Sequence, residues 1–299
     1  MNKSKIKHKP SIILIATQVI LVLYAISLLT MLLWGFYNSF KDYIEYDDSA
    51  LALPKKWLFD NVLVAISRMK VEIDVINGPV ATRFVSAPEM FYNTILYAVG
   101  GGFVVTFFPC VVAYVVSKYS KNFKCLGVYT SIVIICMSIP IVGSQASELA
   151  IANKLNMIDQ IWGLWVLKAY FLGMYYLVFL ASFKSIPDSF SEAAKIDGAS
   201  NFQILSHIMF PLVKTTFTTI FLIKFIELWN DYQTPLLFMP NRPTISYGLY
   251  RFGNSTDPTV ATVPMQMMGS MIVFIPILVV FSIFQKRIMG NISMGGLKE

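Results

Sequence analysis

Lys224, Glu227 and Asp231 stand in a stretch, Thr215–Phe238, that is otherwise mostly apolar. Spacings of three and four place all three on one face of a helix. A charge at the centre of a bilayer costs about 2.5–3.5 kcal/mol on insertion scales, so such residues face protein or water. Two uses fit the set. Lys224 and Glu227 can pair and pack against neighbouring helices, or Lys224, Glu227, Asn230 and Asp231 can line a polar path or gate. Lys168, about two turns into another apolar stretch, is of a kind that snorkels its ammonium to an interface. Hydrolytic and metal chemistry find no support. The two histidines, His8 and His207, have no serine–acid set or ligand cluster around them. Cys110, Cys125 and Cys136 lack metal-ligand spacing and read as small apolar fillers. No Gly-x-x-x-x-Gly-Lys-Ser/Thr loop is present to cradle a nucleotide. No catalytic, metal-binding or cofactor-binding residue is therefore expected.

Composition sets the elements that hold these charges. Of 299 residues, 56% are hydrophobic and only 14% charged, with mean hydropathy +0.62. Soluble domains run nearer 45–50% apolar and about 25% charged. Six stretches match the ~20 residues of a membrane span: Ile12–Phe36, Asn93–Ser117, Leu126–Ala146, Ile161–Phe183, Thr215–Phe238 and Pro264–Phe284. The first is too long for a secretory apolar region of about 7–15 residues and reads as an uncleaved helix. Pro109, Pro140 and Pro276 fall inside spans and predict kinks, not chain breaks. The chain is thus expected to be an all-α integral membrane protein with about six transmembrane helices. Aromatics near span ends, such as Trp34, Tyr37, Trp57, Tyr92 and Trp229, suit an interfacial belt. A sugar would favour the same ring faces, so both uses stay open.

The net charge of +7 belongs to topology rather than to nucleic acid. Lysines and arginines gather in the N-tail (1–11), the link Lys118–Lys124, the segment Lys184–Lys214 and the C-tail (286–299). The positive-inside bias makes these sides cytoplasmic, with both termini inside. Residues 37–92 form a long outer segment, polar and acidic over Lys41–Asp48, with a helix-like run from Leu58 to Val71.

The segment 184–214 is the most informative. Asp188 or Ser189 can cap a helix, and Ser189 with Glu192 has capping-box spacing. Ala193, Ala194 and Lys195 favour that helix, and Gly198 ends or bends it. Ser200 can cap a second helix, whose apolar Phe202, Ile204, Leu205, Ile208 and Met209 lead back to the membrane. Ala193, Ala194 and Ala199 suggest a low surface open to close approach.

Glu192-Ala193-Ala194, followed by Gly198, Ile208 and Pro211, resembles the "EAA" loop of binding-protein-dependent import permeases, with Phe210 where Leu is usual. Ile186-Pro187, Asp197-Gly198-Ala199-Ser200, Trp229-Asn230-Asp231 with Pro235, Trp162-Gly163-Leu164 and the tail Gly290–Lys298 are similar to its carbohydrate branch. The nearest likeness is to the smaller permease subunit of maltose-type importers, and it covers most of the chain from Asn93 onward. It implies a type I ABC importer permease (MetI-like) fold, with a permease core over 93–285, in the bacterial inner membrane. It implies that Glu192, Ala193, Ala194, Asp197, Gly198, Ala199, Ile208 and Pro211 couple the chain to an ATPase. The implied partners are a second permease subunit, two ATPase subunits that hold ATP and Mg, and an extracytoplasmic sugar-binding protein. The competing reading is an ion-coupled secondary transporter or channel using Lys224, Glu227 and Asp231.

Overall fold

The computed structural model describes residues 12–74, 82–120, 123–139 and 143–292. The N-tail, Pro140 and the end of the C-tail lie outside them. The elements run α1 (Ile12–Asn38), α2 (Tyr43–Asp48), α3 (Asp60–Arg68), β1 (Lys70–Asp74), β2 (Thr82–Ser86), α4 (Ala87–Tyr119), α5 (Lys124–Ser138), α6 (Ser144–Lys154), α7 (Ile161–Leu167) and α8 (Met174–Lys184). They continue as α9 (Ser189–Ile196), α10 (Asn201–Gln203), a π-helical turn (Ile204–Met209), α11 (Phe210–Asn230), α12 (Gln233–Phe238), α13 (Ile245–Gly253) and α14 (Val263–Ile292). Among the described residues, four helical runs are long and apolar enough to cross a bilayer: Ile12–Asn38, Ala87–Tyr119, Asn201–Asn230 and Val263–Gln285. Cys125–Ser138 and Met174–Lys184 are shorter apolar helices.

Several expected spans differ in detail. The third is not one helix: α5 stops at Ser138, and Ile139 is extended at φ −92°, ψ 115°. Ile139 precedes Pro140, and a proline ring disfavours helical geometry in the residue before it. Gly143, at φ +82°, then starts α6. The fourth is also two helices, α7 and α8, separated by Lys168–Gly173 with Gly173 at φ +149°. The fifth begins earlier than expected and ends at Asn230; Asp231 is extended at ψ 111°, and α12 is a separate short helix. The last span overruns its expected end, so that residues 286–292 of the C-tail continue α14.

The chain forms two compact units, residues 1–68 with 252–272 and residues 69–251 with 273–299. In the first, the C-terminal end of α1 is tied to the polar segment after it. Trp34 Nε1 donates to the Ala50 carbonyl at 2.9 Å, and Asn61 Nδ2 donates to the carbonyls of Ser39 and Lys41 at 3.0 and 3.1 Å. Lys41, at the head of the polar and acidic stretch, is only 1% exposed. Its ammonium donates to the Ser49 carbonyl at 2.7 Å and lies over the Tyr37 ring, which replaces the lost water.

In the second unit, α4 is the central helix, packed by α7, α8 and α11. Small residues let these approach: a methyl on Gly100 would overlap the Trp165 ring, and one on Gly101 would fall 2.9 Å from Leu228. Close backbone approach through small residues is a usual basis of helix packing in lipid, where hydrophobic burial between helices drives little. The core that α4 shares with α8 is aromatic, with Tyr176, Phe179 and Phe183 fully buried. Before α4 two short strands, β1 and β2, pair antiparallel within an otherwise helical fold. Alternation explains it: Val71, Ile73 and Val85 are buried, whereas Lys70, Glu72 and Asp74 are exposed.

Candidate functional site

Segment 184–214 forms a helix, a turn and a second helix. The turn is made at Gly198, whose φ of +81° favours glycine. Gly198 N–H reaches the Lys195 carbonyl at 3.1 Å and Ala199 N–H the Ala194 carbonyl at 2.9 Å, so the end of α9 is satisfied. Ser200 caps the next helix as expected, in a full capping box with Gln203: the Ser200 N–H donates to Gln203 Oε1 at 2.8 Å, and the Gln203 N–H donates to Ser200 Oγ at 3.3 Å. The first cap is different. Asp188 occupies the cap position of α9 without a side-chain capping bond, and Ser189 lies inside the helix. The Asp188 carboxylate instead meets Lys118 Nζ of α4 at 2.9 Å, and Lys118, its side chain only 10% exposed, also reaches the Ile186 carbonyl at 3.4 Å. Lys118 thus pins the start of α9 to a long apolar helix, a link between residues 70 apart that no local pattern announces.

The expected coupling residues divide by face. Glu192, Ala193, Asp197, Gly198 and Pro211 are exposed. Ala194, Ala199 and Ile208 turn inward to the aromatic core, so the low surface is offered by Ala193 and Gly198, not by Ala194. Two apolar side chains stand out from it: Ile196, which spacing did not mark, is 87% exposed and Phe202 75%. Phe202, expected to lead back to the membrane, stays outward because the capping box sets the phase of the second helix. The π-helical turn precedes Pro211, which has no N–H for the regular ladder, and the Phe210 N–H bonds instead to the Leu205 carbonyl five residues back.

The charges of the fifth span do not form one cluster. Lys224 Nζ and Glu227 Oε2 pair at 2.7 Å, with the Lys224 ammonium over the Tyr175 ring. The Lys224 side chain is 17% exposed and that of Glu227 59%. Asp231 leaves this face because α11 has ended. Its carboxylate accepts the Tyr97 hydroxyl at 2.8 Å and the Thr234 N–H at 3.0 Å. Lys168 does not snorkel away; it lies 3.7 Å from Asp231 and donates to Thr234 Oγ1 at 3.2 Å. Lys224 thus pairs with Glu227, whereas Asp231 pairs with Lys168. Asn230 is exposed, its amide donating to the Ile226 carbonyl.

Two cavities flank the break between α7 and α8, and Tyr170 borders both. One, about 200 Å³, is bounded by Pro109, Gly173, Tyr175 and Lys224. The other, about 220 Å³, is bounded by Ser144, Gln145 and Glu148 of α6, Lys168 and Thr234. No sequence signal marks the α6 residues, because their setting depends on the break in the third span. A latch ties α12 to the start of α7: Asp159, at φ +61°, accepts both the backbone and side-chain N–H of Asn241 at 2.8 Å.

A core of apolar helices packed around α4, with two of the expected spans broken, is a multi-helix membrane fold. The chain belongs to the family of binding-protein-dependent transport system inner membrane components, whose model matches residues 106–293. It is 24% identical over 262 residues to the probable starch degradation products transport system permease protein AmyC of Thermoanaerobacterium thermosulfurigenes, covering 88% of this chain and 89% of that one. It is 22% identical over 279 residues to the diacetylchitobiose uptake system permease protein NgcG of Streptomyces coelicolor, covering 92% and 86%. Its fold is that of a chain in the crystal structure of a bacterial ABC transporter involved in the import of the acidic polysaccharide alginate, with TM-score 0.72, 22% identity, and 91% and 95% of the two chains covered.

Proposed function

We propose that this chain is one permease subunit of an ATP-driven importer. With a second permease subunit it forms the path for a sugar or oligosaccharide delivered by an extracytoplasmic binding protein. The observation that carries the reading is the exposed, pinned helix–turn–helix of segment 184–214. An ATPase dimer that moves on binding and hydrolysing ATP needs a rigid element to push, and a helix pair capped at Ser200 and held by Lys118 is one. Glu192 would meet a basic group in the ATPase cleft, Ala193 and Gly198 would allow close approach, and Ile196 and Phe202 would fill apolar pockets. Hydrolysis itself belongs to the partner chains, which supply the ATP and Mg sites.

Two further observations support a path. Non-helical backbone at membrane depth is tolerated where it is buried in protein or lines a water-filled cavity, and the Lys168–Gly173 break borders two cavities. The half-exposed Glu227 and the exposed Asn230 need protein or water beside them rather than lipid. The sugar assignment leans on the relatives. The test is co-purification of the ATPase with the chain, together with uptake of sugars identified by screening the binding protein. A chain purified with its second permease subunit that recruits no ATPase would overturn the coupling role.

A further inference from the structure

We propose that this subunit carries a saccharide-binding subsite of its own, the cavity of about 220 Å³ between α6, the α7–α8 break and α12. The inference rests on the sugar-importer reading above and adds to it the residues that touch the cargo and the charge class the cargo must have. Two walls of the cavity differ in kind. One is already organised: Asp231 is held by Tyr97 and Thr234, and it in turn holds Lys168, which also donates to Thr234. The facing wall is α6, where Ser144 and Gln145 stand four and three residues before Glu148 and so share its helical face. Among the described residues, none of these three side chains has a hydrogen-bond partner. Gln145 is exposed and Ser144 and Glu148 partly so, which leaves their donors and acceptors open to water or to a ligand that enters the cavity.

The chemistry is that of a polyol site. A sugar hydroxyl both donates and accepts, so it can donate to the Glu148 carboxylate and the Gln145 carbonyl while accepting from the Gln145 amide or the Lys168 ammonium. Tyr170 offers a ring beside these groups, an apolar face for the C–H side of a pyranose. Charge narrows the class. The Lys168 ammonium is already paired with Asp231, which leaves the Glu148 carboxylate uncompensated in the cavity. A uronic acid would meet like charge there, so the subsite takes a neutral saccharide.

The test uses the complete transporter, with its second permease subunit, ATPase and binding protein, in proteoliposomes. The probes are a panel of neutral di- and oligosaccharides, with trigalacturonate as the anionic probe. Because the binding protein delivers the cargo, it sets the apparent affinity, and the subsite shows in the sugar moved per ATP hydrolysed. Gln145→Ala and Glu148→Ala are each expected to lower that ratio by about tenfold, the size of a lost hydrogen bond to a charged or amide group. Complex recovery and the ATPase stimulation by loaded binding protein should stay at wild-type level. Glu148→Gln should lower the ratio for neutral sugars less than Glu148→Ala does, and should raise it for whatever trigalacturonate the binding protein delivers. Unchanged coupling in both alanine variants overturns the subsite while leaving the importer reading intact. So does a loss that follows complex recovery, or a wild type that prefers trigalacturonate. A wild type that moves no saccharide removes the importer reading, and the subsite with it.

Discussion

Gly198 meets nothing within 4 Å at the place where a side chain would start, and its φ is +81°. A substitution there costs no clash within the chain, only a backbone penalty of order 1–3 kcal/mol, together with intrusion into whatever docks. The two can be separated. Gly198→Asn tolerates the left-handed conformation and should keep the turn, whereas Gly198→Val should lose it. Membrane levels of both variants should match the wild type; ATPase co-purification should fall for both, more for valine. Full recruitment by Gly198→Val would place the docking contact elsewhere. The Lys224–Glu227 pair makes an asymmetric prediction. Lys224 is the more covered partner, at 17% against 59%. Orphaning it by Glu227→Gln should harm assembly more than Lys224→Met, which leaves a carboxylate that water can reach; a covered polar group left unpaired costs about 1–3 kcal/mol, and a charged one more. Lys224→Met and Glu227→Gln together should recover part of the loss, as read by yield of the folded chain in detergent. Losses that simply add would mean the two side chains act independently.

At the scale of elements, the coupling segment is secured at two points. Ser200 closes a capping box, and replacing such a residue with alanine costs about 1 kcal/mol. Ser200→Ala should therefore raise hydrogen exchange across residues 200–209 while leaving α8 and α4 protected. Lys118 ties Asp188 to α4. Lys118→Met should leave α9 and its outward face chemically intact yet loosen their connection to the spans. The expected signature is near-normal ATPase recruitment with several-fold weaker uptake per ATP, and the same from Asp188→Asn. Were Lys118→Met to transport with wild-type coupling, motion would have to pass through the second helix and α11 alone.

At the scale of the whole molecule, the bias of lysine and arginine predicts both termini on the cytoplasmic side, with α2 outside. Cysteines introduced at Lys5 and Lys298 should be shielded from an impermeant thiol reagent in intact cells, and one at Asp47 should react. Labelling at position 5 from outside would invert the arrangement. Leu14, Ile20, Leu23 and Leu29 of α1 are each more than half exposed among the described residues. A span of that kind needs lipid or another protein surface around it.

Much of this was legible in the sequence because it is local. Apolar runs of span length, the bias of basic residues, Ser200 as a helix cap, and glycine at a turn all act within a few residues, where spacing alone settles which groups can meet. The pairing of Lys224 with Glu227 was readable for the same reason. Tertiary structure decided the rest. Whether a proline or glycine kinks a span or breaks it depends on what packs around the freed backbone, so the breaks in the third and fourth spans were not foreseen. Asp231 shares a helical face with Glu227 only while the helix continues, and its bonds to Tyr97, Lys168 and Thr234 end that. Lys118 with Asp188, and α6 with the α7–α8 break, join residues that no short-range spacing relates. Such contacts exist only after α4 has gathered α7, α8 and α11 around its glycines, because it is that packing, not any local spacing, that brings their side chains into range.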